Sequence, residues 1–425
     1  MPGRPARAII VTILLLLSSW TSAHATTAAR GSLVLVGGAL AEDNDAVFDE
    51  VIARAGGPRA RIGIITAASL PASQDPDADD PEKCSNSVCN GAYYAGLFTQ
   101  HGAAAEWIPV DLDHVAAAES DAVAARVRGM SGFFFGGGDQ YRYVTTLLRG
   151  DRHTDSLVLA AIRAKFRTGA VISGSSAGAQ IASGPDMVTG GDSYEGLRDG
   201  SRPGYFEDPS VLGYLPAGGF GLLTSGLLDT HTGVDGREGR SLRLAADTGH
   251  DRVYALDENT AVVVDRPGSP AETLRVLGEH GVTVLDLRRS HVTTGSCGWS
   301  VHDVRYDYLT DGARYIPAAR LAVPPAGARP ATPVDRSPVP ENDDVFHSPR
   351  NAAGTPYSLL RTAVALAGSA VARTTTAHTF ETAPRFDVRL RKTAATRTWT
   401  KPAVPGSVLD LRLDVGPTAC TAPVR

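Results

Sequence analysis

The stretch Gly174-Ser175-Ser176-Ala177-Gly178 places a serine among small residues, between the apolar run Ala170–Ile172 and Ala179-Gln180-Ile181-Ala182, which can begin a helix. A G-x-S-x-G at a strand-to-helix turn lets the backbone bend sharply and lifts the serine Oγ clear of a sheet. The helix start behind it offers amide N–H groups and positive potential where an oxyanion would develop. The chemistry this suits is acyl transfer through Ser176. With 45 glycines in the chain the pattern also arises by chance, so its partners must carry the reading.

A serine hydroxyl needs a base, and the base needs an orienting acid. Of 11 histidines, His231 stands out, because Asp229-Thr230-His231 follows the apolar stretch Phe220–Leu228 and precedes Gly233. A polar cluster after a buried run suits a strand-end site; a satisfied structural histidine is the competing explanation. Asp186, Asp192, Glu195 and Asp199 lie between the serine and this histidine. Glu195, following the glycine turn of Gly190-Gly191-Asp192-Ser193-Tyr194-Glu195, is placed to reach back to the imidazole. Asp192 is the alternative acid, and a solvated loop carboxylate is the alternative for both. A second glycine stretch, Gly136-Gly137-Gly138-Asp139-Gln140, follows Phe133-Phe134-Phe135. Its amides can approach a reacting carbonyl, so that Gly138 N–H and Ala177 N–H would form a two-donor oxyanion hole, with Gln140 donating to substrate. It has neither the lysine of a P-loop nor G-x-G-x-x-G spacing, which argues against a phosphate loop.

The elements that must hold these residues alternate. Ser32–Val36, Arg61–Thr66, Ala105–Val110, Gly132–Phe135 and Ala170–Ile172 read as buried strands. Between them Asp45–Ala55, Ala92–Gln100, Ala116–Val127 and Thr154–Phe166 have helical character. Such alternation predicts an α/β fold with a mostly parallel, doubly wound sheet, whose sites gather at the carboxyl ends of the strands. From Val253 the runs Val253–Leu256, Ala261–Val264, Leu274–Leu277 and Val282–Leu287 suggest an antiparallel extension. The expected catalytic domain is 26–322, followed by a proline-rich linker at 323–342 and a small C-terminal α+β appendage at 343–425. In that appendage Leu359–Val371 reads as helix, and Arg385–Leu390 and Val408–Val415 as strands.

The 425 residues carry 41 basic and 46 acidic side chains, a net charge of −5, with no block of either sign that would suit nucleic acid or another polyelectrolyte. Arg4 and Arg7, the apolar run Ala8–Leu17 and the A-x-A triplet Ala23-His24-Ala25 read as a signal peptide spanning 1–25, cut after Ala25. The expected mature protein is secreted and not held in a membrane. Cys84 and Cys89 bracket a short polar loop and suit a local disulfide, leaving Cys297 to pair with Cys420, although three pairings are formally open. Neither a metal site nor a cofactor is expected, since no C-x-x-C pair or neighbouring histidine spacing supports zinc.

Five motifs in order, Phe135-Gly-Gly-Gly-Asp-Gln140, Gly174-Ser-Ser-Ala-Gly-Ala179, Gly190-Gly-Asp-Ser-Tyr-Glu195, Leu228-Asp-Thr-His231 and Leu256-Asp-Glu-Asn-Thr-Ala261, resemble the cyanophycinase-like serine peptidases, a group that includes the α-aspartyl dipeptidases. The resemblance spans roughly Ser32–Leu287. It implies a sheet like that of class I glutamine amidotransferases and a triad of Ser176, His231 and Glu195. It also implies that Gln140 lines the substrate site and that Asp229 is the acidic residue beside the histidine. The reaction it implies is metal-free acyl transfer to water, on the β-linked aspartyl-arginine units of a polyaspartate backbone. Two positions depart from the pattern. Ser175 replaces a threonine, and Asp235 stands where a substrate-binding arginine is expected, with Arg237 and Arg240 nearby.

The expected activity is therefore exported serine exopeptidase chemistry on aspartyl-containing peptides, with Arg237 as a substrate-binding residue. Two alternatives remain: a catalytically silent peptide- or polymer-binding protein on this fold, and a secreted esterase of the α/β-hydrolase type. A homodimer is among the assemblies left open.

Overall fold

The computed structural model describes residues 31–150, 152–296, 298–401 and 404–418. The signal peptide and the Cys297–Cys420 pairing lie outside the described residues. The Cys84–Cys89 disulfide is formed.

The chain forms a mixed α/β structure around two nine-stranded sheets. At the centre of the first, Ser32–Val36, Val171–Ser175, Gly132–Phe135, Arg61–Ile65 and Ala104–Trp107 lie side by side and parallel. The sequence dictates this by burial on both faces. In the Gly132–Phe135 strand, Phe133 and Phe135 enter one core cluster, while Phe134 points the other way onto Phe98 and Tyr94. Leu33 and Leu35 divide from Val34 and Val36 in the same manner. On the far side of Ser32–Val36 the sheet turns antiparallel through Thr260–Asp265, Thr273–Gly278, Arg314–Ile316 and Leu321–Val323.

Helices cover the parallel strands and start at side-chain caps. Asn44 accepts from Val47 N, Asn86 from Val88 N and Cys89 N, and Ser156 from Leu159 N. Three predicted helices differ in extent: the one expected from Ala92 starts earlier, at Ser87 behind its Asn86 cap. The segment expected at 116–127 breaks at Ser120, whose Oγ caps a new helix at Asp121–Arg128, and the one expected from Thr154 begins at Leu157 behind its Ser156 cap.

The second sheet runs Leu227–Asp229, Arg252–Leu256, Gly281–Asp286, Gly298–Thr310, Val404–Pro417, Phe386–Lys401 and Arg329–Ala331. The first pair is parallel and the remaining neighbours are antiparallel. The segment expected as a C-terminal appendage thus supplies central strands of this sheet. Val415 pairs with Val301, and Leu411 with Tyr306. These side chains join the helix Ser358–Gly368 in one continuous core with Leu227, Val253 and Leu242.

Leu411 is fully buried in that core. Replacing it with alanine should cost about 2–5 kcal/mol. By calorimetry the whole protein should melt in one transition shifted to lower temperature. A separate early transition that left the remainder at its original melting temperature would show the C-terminal strands to be an independent unit.

Candidate functional site

The Val171–Ser175 strand is fully enclosed and delivers Ser176 at φ 55° and ψ −119°, a sparsely populated conformation for a residue with a side chain. The helix Ala177–Gln180 follows immediately. The turn fits only because its flanks are bare: a Cβ on Gly178 would lie 1.9 Å from the Phe135 carbonyl oxygen. His231 comes from the second sheet, two residues beyond Leu227–Asp229, in a left-handed conformation at φ 54°. Its Nε2 lies 2.7 Å from Ser176 Oγ, and its Nδ1 lies 2.6 Å from Glu258 Oε1. With the carboxylate accepting from Nδ1–H, Nε2 is left to accept from the serine O–H.

Three successive carbonyls hold this row together. Ser176 N donates to Val36 O at 3.1 Å, His231 N to Gly37 O at 2.7 Å, and Asn259 N, next to Glu258, to Gly38 O at 2.8 Å. Gly38 has φ +119°, and a Cβ there would sit 2.2 Å from His231 Cε1, so the missing side chain is the space the imidazole occupies.

The acid in this row is Glu258; the spacing had favoured Glu195, with Asp192 as its alternative. Glu195 lies on the helix Ser193–Asp199, almost wholly buried, with Oε1 2.5 Å from Arg350 Nη2. That helix packs on Glu238–Thr248, and Glu195 has no hydrogen bond to His231. Asp192 stands at the N-cap position of that helix without a side-chain hydrogen bond to it, and burial, with Glu195 beside it, raises its pKa. Glu258 occupies the three-residue crossover between Arg252–Leu256 of the second sheet and Thr260–Asp265 of the first. Its signal in the sequence was an Asp-Glu pair ending an apolar run, the same signature that drew attention to His231.

The expected substrate-binding residues are engaged elsewhere. Both Asp229 oxygens are occupied: Oδ1 accepts from Arg240 Nη2 at 2.7 Å and Thr230 N at 2.9 Å, and Oδ2 from Arg240 Nε at 2.8 Å and Ser241 Oγ at 2.7 Å. Burial would raise its pKa, but the Arg240 guanidinium overcomes that and holds it low. Gln140 donates Nε2 to Val188 O at 3.0 Å, fastening the Met187–Gly190 strand. Arg237 pairs with Asp235 at 2.7 Å and donates to Thr230 O at 3.0 Å, while burial and neighbouring Arg240 lower its pKa to about 10. Asp235 is thus neutralised inside its own loop.

Gly138 adopts φ +130°, where a Cβ would lie 2.2 Å from Ala68 O, and Gly137 is the glycine packed against Ser176, with a Cβ position 3.9 Å from Oγ. Among the described residues neither amide N–H has a protein acceptor, and Ala177 N–H stands in the first turn of its helix, where no intrahelical partner exists. Donors are therefore available on both sides of Ser176. No group of three or more His, Cys, Asp or Glu among the described residues is arranged to hold a metal. No helix among them is long and apolar enough to cross a membrane.

The loop after His231 is held from the C-terminal segment. Tyr357 N donates to Gly233 O at 2.5 Å, and His347 Nδ1 to Val234 O at 2.6 Å. From the other side Asp257 Oδ1 accepts from Gly233 N at 2.9 Å and Oδ2 from Tyr308 OH at 2.8 Å. Burial pushes the Asp257 carboxyl up to about 7, against these hydrogen bonds. The folded protein therefore holds this proton more tightly than the unfolded chain, whose value is 3.8. The resulting stability is complete below about pH 4 and is lost as pH rises through about 7. In Asp257→Asn the melting temperature should fall less between about pH 5 and pH 8 than in the wild type; an unchanged slope would contradict this assignment.

Removing the orienting acid of a serine row costs up to about 10⁴-fold in rate. Glu258→Gln should slow fluorophosphonate labelling of Ser176 by at least about 10²-fold. Glu195→Gln should leave labelling within a few-fold and lower the melting temperature instead. The reverse pattern would return the acid to Glu195.

No family model matches the chain. A cyanophycinase of Trichormus variabilis is 28% identical over 306 residues, covering 70% of this chain and 89% of that protein. Another, of Synechococcus elongatus, is 28% identical over 302 residues, covering 69% and 81%. A third, of Geminocystis herdmanii, is 25% identical over 296 residues, covering 67% and 93%. Among solved structures, a peptidase from an acI-B1 Actinobacterium is 20% identical, covers 60% of this chain and 91% of its own, and gives a TM-score of 0.40. The same name recurs across several species at similar identity and coverage, and this consistent similarity over about two thirds of the chain supports a peptidase of the cyanophycinase family.

Proposed function

We propose that the protein is an exported serine-type exopeptidase that hydrolyses aspartyl-containing peptides, releasing β-aspartyl-arginine from cyanophycin. The fold is read as class I glutamine amidotransferase-like, with serine as the nucleophile. The observation that carries the reading is the unbroken row from Ser176 Oγ through His231 to Glu258, starting at a strained strand-to-helix turn.

In this mechanism Ser176 Oγ attacks the scissile carbonyl and its proton passes to His231 Nε2. Glu258 stabilises the imidazolium through Nδ1–H. Ala177 N–H and the amides of Gly137 and Gly138 supply donors for the oxyanion. Collapse breaks the C–N bond, and His231 returns the proton to the leaving amine. Water then attacks the acyl-enzyme, giving its proton to Nε2, and Ser176 leaves with it. Asp229 and Arg240 act as a buried brace under the histidine loop, and Asp235 is paired with Arg237.

Purified cyanophycin incubated with the protein should release aspartyl-arginine dipeptide, and Ser176→Ala should reduce turnover by at least about 10³-fold. No release by the wild type would remove cyanophycin as substrate. Rapid hydrolysis of simple acyl esters, with peptides left intact, would favour an esterase.

A further inference from the structure

The arginines around the histidine loop are all committed: Arg237 to Asp235, Arg240 to Asp229, and Arg350 to Glu195. One arginine near Ser176 is not. A cleft of about 380 Å3 abuts the Gly137–Gly138 turn and is lined also by Ser69, Leu70, Asn90, Tyr94 and Arg142. Arg142 is the one charged side chain in its lining. Among the described residues it makes no ion pair, and its recorded hydrogen bond runs from Nη1 to Ala68 O at 2.8 Å. That carbonyl also accepts from Asp139 N at 2.9 Å, so the guanidinium hangs from the atom that anchors the glycine turn. Its position relative to Ser176 is fixed through Gly137. The rest of its fork is left to donate, and Ser69 Oγ, which accepts from Asn90 Nδ2 at 2.9 Å, retains its own O–H for a second acceptor.

We propose that Arg142 is the carboxylate-recognising residue of this cleft, binding a carboxylate on the peptide residue next to the scissile bond. The proposal rests on the hydrolase reading of Ser176 and names a substrate feature for it. The chemistry follows from the donor set. A planar guanidinium with an adjacent hydroxyl matches the two oxygens of a carboxylate, and half-burial beside the glycine turn strengthens the pairing relative to open water. A cationic group would meet uncompensated like charge there, and a neutral side chain would leave the fork without an acceptor. The carboxylate can come from an acidic side chain or from the peptide's C-terminus.

The test is calorimetric binding to Ser176→Ala, which retains the cleft without turnover, alone and combined with Arg142→Met. Three peptides are titrated: an aspartyl peptide, its asparaginyl counterpart and its C-terminal amide. The Ser176→Ala protein should bind the aspartyl peptide roughly 10- to 100-fold more tightly than one of the two neutralised forms, as a charge-assisted hydrogen bond predicts. The form that loses affinity identifies the source of the carboxylate. Arg142→Met should abolish the gap, and Arg142→Lys should restore part of it. A gap that survives in Arg142→Met, or no gap in Ser176→Ala, overturns the proposal. Melting temperatures of the variants separate lost recognition from lost folding, with Arg142→Lys as the informative variant if Arg142→Met does not fold. Wild-type labelling and turnover are measured separately. An inert wild type with the gap intact defeats the hydrolase reading and upholds the subsite, whereas an active wild type with the gap intact in Arg142→Met does the opposite.

Discussion

The end of a single strand governs the site. Val36, Gly37 and Gly38 offer their carbonyls in succession to Ser176, His231 and the residue after Glu258. Three groups from distant parts of the chain are thereby referenced to one stretch of backbone. Directional backbone hydrogen bonds set the relative heights of Ser176, His231 and the turn that carries Glu258. The arrangement also explains why this strand ends in paired glycines. The imidazole occupies the volume that a side chain on Gly38 would need.

Around that strand the two sheets divide the labour. The first supplies Ser176 through a parallel strand buried on both faces, and the second supplies His231 from the end of Leu227–Asp229. Glu258 belongs to the crossover between them, which is only three residues long and so has little freedom to move the carboxylate. The Asp229–Arg240 pair beneath the histidine loop is fully enclosed and satisfied on every carboxylate oxygen position described, which makes it costly to break from either side. Asp257, one residue before the acid, ties the loop after His231 to Tyr308 of the second sheet. The polar residues nearest the row are therefore its scaffold, and the cleft beside the Gly137–Gly138 turn is where an unpaired cation remains.

What was legible in the sequence was local. Ser176 and its turn announce themselves by small residues after an apolar run, and His231 by a polar cluster after another. The parallel strands are equally plain, because residues such as Phe133 and Phe134 must both be buried. Glu258 was missed because the acid was sought between Ser176 and His231, and distance along the chain does not report distance across a sheet-to-sheet crossover. Asp229, Gln140 and Arg237 have side chains suited to substrate, and only burial and partner geometry show them to be occupied. The long strand Gly298–Thr310 was missed for a related reason. Its His302-Asp303 and Arg305 interrupt the alternation that marks a strand, and the register shifts between Val301 and Val304. The pairing of that strand with Val404–Pro417 joins residues about a hundred positions apart, which no local pattern encodes.

The hydrogen bonds from His347 and Tyr357 to the loop after His231 have a bearing on biosynthesis. On a nascent chain Ser176, His231 and Glu258 all emerge before the segment that fastens this loop. Gly298–Thr310 then waits longer still for Val404–Pro417. The order of synthesis thus leaves the loop after His231 without these two hydrogen bonds until the segment carrying His347 and Tyr357 has been made.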